Sequence, residues 1–183
     1  MKYSFFILSL FAICTAKAQN ALSYEELLLS TPETDLADSL LFDGNNKEVT
    51  ALDSATVKQW FQAVIPAGSK NRLKNRTYAL LGKITSQSNY NLLILLEEKK
   101  RSDTSNVQVV YFITTKKDGQ YIAKLEVAVK GEKKESGYNI TSLLYKDYKI
   151  VQDSKITLHD RSITDITCYK INGGGRFILY PRD

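Results

Sequence analysis

Histidine occurs once in this chain and cysteine twice, and that scarcity removes most familiar chemistry. His159, Cys14 and Cys168 cannot supply the three or four nitrogen and sulfur ligands of a zinc site. The stretch from Asp153 to Asp160 lacks the closely spaced oxygen ligands ending in a glutamate that a calcium loop needs. No Gly-x-Ser-x-Gly elbow occurs. The glycines of Asn172-Gly173-Gly174-Gly175-Arg176 precede a strand-like run, where a phosphate loop needs Lys-Ser/Thr and a helix. No metal or cofactor is therefore expected, and no catalytic residue is assigned. Proline is also rare, three in all, and none lies between Thr77 and Tyr180. That stretch is free to form ladders.

What is present begins with an address. Lys2 gives a short positive region, Phe5 to Ile13 is apolar apart from Ser9, and Ala16-Lys17-Ala18 has the small-x-small pattern of a peptidase site. Residues 1–18 read as a secretory signal cleaved between Ala18 and Gln19. About nine apolar residues fall far short of the roughly twenty that cross a bilayer. The alternative is a lipoprotein anchored through Cys14, which the bulky Ile13 disfavours. With Cys14 removed, Cys168 has no partner within the chain, so the fold must hold by its core alone. The expected location is secreted or periplasmic.

Charge divides the remainder. Residues 19–69 hold eight acidic side chains against Lys47 and Lys58, whereas residues 70–183 hold 21 basic and 12 acidic ones. Two halves of opposite sign within one domain, 19–183, suggest that the acidic segment packs on the basic one. That arrangement disfavours a nucleic-acid partner despite the isoelectric point near 9.

The acidic segment predicts two helices. Ser23-Tyr24-Glu25-Glu26 has capping-box form, and Thr31-Pro32 ends the first helix. Asp53 caps the second, whose Val57, Trp60, Phe61 and Val64 form one apolar stripe. Trp60 reads as an anchor into the core rather than a ligand platform.

The basic segment predicts strands at Thr77–Ile84, Tyr90–Glu97, Val107–Thr115, Gln120–Val129, Tyr138–Tyr145, Tyr148–Leu158, Ile166–Ile171 and Arg176–Tyr180. Asp118-Gly119, Lys146-Asp147 and Asn172 to Gly175 mark turns. The second strand is apolar on both faces, and the Trp60 helix is the natural cover for its outer side. The fold class is thus α+β, mainly β: two N-terminal helices followed by a seven- to eight-stranded antiparallel meander, as a curved sheet or an up-and-down barrel. Charged Lys124, Glu126 and Lys155 interrupt any lipid-facing band, which excludes an outer-membrane barrel.

Remaining candidates are few. A hairpin centred near Ile163 and Thr164 would set His159 opposite Cys168 as a nucleophilic pair. The apolar register instead pairs Ile156 with Leu158 and Ile166 with Cys168, which puts the sulfur in the core and the imidazole in water. Glu126, beside Lys124 and Lys130, reads as a surface residue. Glu97 and Glu98, ahead of Lys99, Lys100 and Arg101, read as a solvated loop. Lys70, Arg72, Lys74 and Arg76 would align as an extended row shielding an edge strand. Asn75-Arg76-Thr77 and Asn139-Ile140-Thr141 are glycosylation sequons. The expected function is a small exported non-enzymatic module acting by contact with another protein at the bacterial envelope. The alternative is a carrier of a small apolar ligand inside a barrel, and a hydrolase ranks below both.

Overall fold

A computed structural model describes residues 21–44, 49–67, 73–102, 105–133, 136–158 and 161–181. The elements run α1 (Tyr24–Ser30), β1 (Ser39–Phe42), α2 (Ser54–Trp60), a 3-10 turn (Gln62–Val64), β2 (Arg76–Ile84), β3 (Asn91–Ser102), β4 (Ser105–Thr115), β5 (Tyr121–Lys130), β6 (Glu132–Lys133), β7 (Ser136–Tyr145), β8 (Lys149–Leu158), β9 (Arg161–Ile171) and β10 (Phe177–Leu179). The protein is mainly β, a ten-stranded antiparallel sheet ordered β10-β9-β8-β7-β5-β4-β3-β2, with β1 and β6 both added to β7. Among the described residues no ladder joins β2 to β10, so the sheet is not closed.

Local chemistry sets both helix starts. Ser23 and Glu26 close the capping box reciprocally, and Thr31 ends α1 ahead of Pro32. Asp53 accepts from the amides of Ala55 and Thr56 at 2.8 and 2.9 Å. The predicted stripe from Val57 to Val64 is split. Phe61 leaves helical geometry at φ −120°, ψ 24°, and a 3-10 turn carries Val64 onto the sheet.

Alternation along β3 sorts the core into two layers. Leu93 and Leu95 pack with Val57, Phe61 and Val64 from the α2 region, and with Leu27 of α1. Leu92 and Ile94 point the other way, into a cluster with Phe112, Val127, Leu144, Ile150 and Ile171. Both halves of the sheet thus share one inner core, with the helices on the outside of β2–β4. Trp60 donates to the Leu22 carbonyl at 2.8 Å, and its ring meets Tyr24 at 5.3 Å. It ties α2 to the chain entering α1.

Three sequence expectations need correction. Only Val129 and Ile140 pair β5 with β7, and β1 takes over beside β7, matching Leu41 to Leu143. The meander is therefore interrupted by a strand from the acidic segment, which four residues of weak pattern did not reveal. Charged residues 97–102 extend β3 instead of forming a loop, because β4 stays paired with them to Ser105. The β8–β9 hairpin turns between Leu158 and Arg161, not at Ile163 and Thr164, since Ile163 pairs with Ile156. Register follows that apolar cross-strand pair.

Candidate binding face

The inner face of β7–β9 is spent on the core, with Leu144 and Ile150 fully buried. Alternation therefore turns Leu143 and Val151 outward. Cross-strand register aligns Leu41, Leu143, Val151 and Cys168 as one row over β1, β7, β8 and β9. The Tyr180 amide donates to the Cys168 carbonyl at 2.9 Å and extends that row past the end of β10. Among the described residues the helices pack on the outside of β2–β4 and do not cover this row. Leu41 is 64% exposed, and Ile166 and Ile178 on the same face are 40% and 44% exposed.

A groove of about 660 Å³ lies along this face, lined by Tyr145, Lys149, Val151, Cys168, Tyr180 and Pro181 among others. Lys149 carries its ammonium 4.9 Å from the centre of the Tyr180 ring, and Asp147 stands 3.7 Å from the same nitrogen. Lys170, the cross-strand partner of Lys149, carries its ammonium 5.8 Å from that ring centre. Half-buried apolar bodies with cations at one end suit a protein segment or another amphipathic surface.

Cys168 is half-exposed in this groove, not in the core. The register explains the difference: Ile156 shares the face of Ile150, whereas Ile166 and Cys168 share the opposite face with Val151. Val151 stands opposite Cys168. His159 lies outside the described residues, as do Cys14, the expected cleavage site at Ala18 and Gln19, Lys70 and Arg72.

A second polar feature was invisible in the sequence. Glu97 is only 2% exposed and forms an ion pair with Arg76. Its other oxygen accepts from the Tyr111 hydroxyl at 2.9 Å. The Tyr78 hydroxyl is buried nearby with no hydrogen-bond partner among the described residues. Burial, followed by the charge of Glu126, pushes the Tyr111 hydroxyl far above the usual phenol range. Burial likewise raises Tyr78 and lifts Tyr90 to about 12. Arg76 therefore turns inward to satisfy Glu97, while Leu73 to Asn75 form a turn, which breaks the expected extended basic row. Sequence reasoning missed this cluster because Glu97 opens a run of charged residues that resembles a solvated loop.

The other candidates lie apart. Glu126 is exposed beside Tyr111 across β4 and β5. The Lys124 ammonium donates to the Ala63 carbonyl at 2.6 Å, binding β5 to the 3-10 turn. Asn75 is exposed at positive φ, and Asn139 is half-buried in β7. Among the described residues, no three histidine, cysteine, aspartate or glutamate side chains gather where a metal ion could be held. No helix among them is long and apolar enough to cross a membrane. No family model, no curated protein and no solved structure matches this chain.

Proposed function

We propose that this protein is an exported, non-enzymatic interaction module that works by protein–protein contact through the outer face of β1 and β7–β10. The observation that carries this reading is the apolar row from Leu41 to Cys168, exposed at Leu41 and half-buried along Leu143, Val151 and Cys168, whereas Leu144 and Ile150 on the opposite face are fully buried. Soluble proteins rarely leave such a row bare without a use for it. In this reading the sheet works as an open, curved platform, and residues 1–18 serve as the leader that delivers it to the periplasm or cell surface.

The carrier alternative draws less support, since Leu92, Phe112, Leu144 and Ile150 already fill the inner face. A photo-crosslinking residue placed at Leu41 or Ile166 tests the leading reading in the native cell. Discrete protein adducts are expected from those positions and not from Tyr121, which is 42% exposed beside the helices. Equal labelling from all three positions, or none from any, would remove the proposal. Mass measurement of the exported protein checks the leader: the expected N-terminus is Gln19.

A further inference from the structure

Along the outer face of β8, residues at successive outward positions read Asp147, Lys149, Val151, Asp153 and Lys155. Asp147 lies in the turn before the strand and lines the groove with Lys149 and Val151. Asp153 and Lys155 continue the alternation and are exposed. Their inward neighbours are accounted for: Ile150 is fully buried, and Gln152 donates to the Glu126 carbonyl at 2.6 Å. The order of charges is minus, plus, apolar, minus, plus. Reversed about Val151, each acid meets a lysine: Asp147 falls on Lys155, and Lys149 falls on Asp153.

We propose that the occupant of this face is a second copy of the same chain, bound by a two-fold contact in which β8 crosses β8 antiparallel at Val151. The inference rests on the outer face being the contact surface, and it names the partner. A two-fold interface needs a surface complementary to itself, and this charge order has that property. The apolar row supplies the area to be buried, since Leu41, Leu143, Val151 and Cys168 lie at the level of the axis. Two such sheets can stack face to face in the aligned manner of β-sandwiches. Lys170 then lies over Ile166 of the other copy, so its methylene stem covers an exposed apolar side chain. The charges set register and exclude wrong partners more than they add affinity, because exposed pairs contribute little singly.

Charge reversal on the purified protein tests this directly, by sedimentation velocity over a concentration series. The wild-type protein is expected to dimerise. Lys149→Glu places like charges opposite each other twice by symmetry, and so does Asp153→Lys; each is expected to weaken the dimer on the order of tenfold or more. An equimolar mixture of the two variants restores both contacts in a heterodimer and is expected to recover wild-type association. Asp153 is exposed and Lys149 half-buried in the groove, and unchanged thermal unfolding of each variant verifies the fold. A monomeric wild type, variants that associate as well as wild type, or a mixture that fails to recover would each overturn the inference. If the wild type is monomeric while Leu41 still crosslinks to a different protein, the self-contact fails and the contact surface stands. If Leu41 crosslinks to nothing, both fail.

Discussion

Tyr111 donates its hydroxyl to Glu97 at 2.9 Å, from a strand neighbouring the one that carries the carboxylate. That bond and the Arg76 ion pair are what allow a carboxylate to sit at 2% exposure beneath the helical layer. A buried charge stripped of its partner is far costlier than the intact pair is stabilising.

Arg76→Met should therefore destabilise the protein by about 3–5 kcal/mol. Combining it with Glu97→Leu should recover much of that loss, because the orphaned charge disappears with it. Urea unfolding of the single and double variants checks the order. A double variant worse than Arg76→Met alone would contradict the orphaned charge as the source of the loss.

The raised phenols give an alkaline prediction. A group whose pKa is higher folded than unfolded holds its proton more tightly when folded. Stability from Tyr111 is thus complete below the ordinary phenol value near 10 and falls as pH rises past it. Tyr90 behaves alike, up to about 12. Thermal unfolding should lose stability from about pH 10 upward. In Tyr111→Phe that slope should shrink, although the variant starts about 1–3 kcal/mol weaker because Glu97 loses a donor.

At the acid end, Asp53 works in the opposite sense. Hydrogen bonds from the Thr56 hydroxyl and amide hold its carboxyl below the usual range. Its contribution is present above the unfolded value of about 3.9 and is lost as pH falls through the lower folded one. Asp53→Ala should cost about 1 kcal/mol at neutral pH and less below pH 3. A cost that does not change with pH would argue against the cap.

Most strands could be read from residues 77–180, because their alternation and turns are local. Gly119 and Gly175, at φ 92° and 78°, occupy the turns their sequences announce. What could not be read depended on distant partners. β1 is a strand only because β7 leaves room beside it where β5 diverges. Glu97 is buried only because Tyr111 and Arg76 converge on it. The face that Cys168 occupies follows from the match of Ile163 to Ile156, and a one-residue slip in that pairing would reverse it.

Cys168 now offers a stability contrast. In a packed core, a polar replacement would be costly; half-exposed on the outer face, Cys168→Ser should change stability by less than about 1 kcal/mol. Chemical unfolding measures it. A larger loss would return the sulfur to the core and close the groove.

The same thiol reports most directly on whether the outer face is covered by a second copy of the chain. Maleimide labelling of Cys168, followed on its own peptide by mass spectrometry, can be timed at rising protein concentration. Covering of the groove by another copy predicts labelling that slows as concentration increases and stays fast in Lys149→Glu. Labelling at one rate in both proteins, whatever the concentration, would contradict the account.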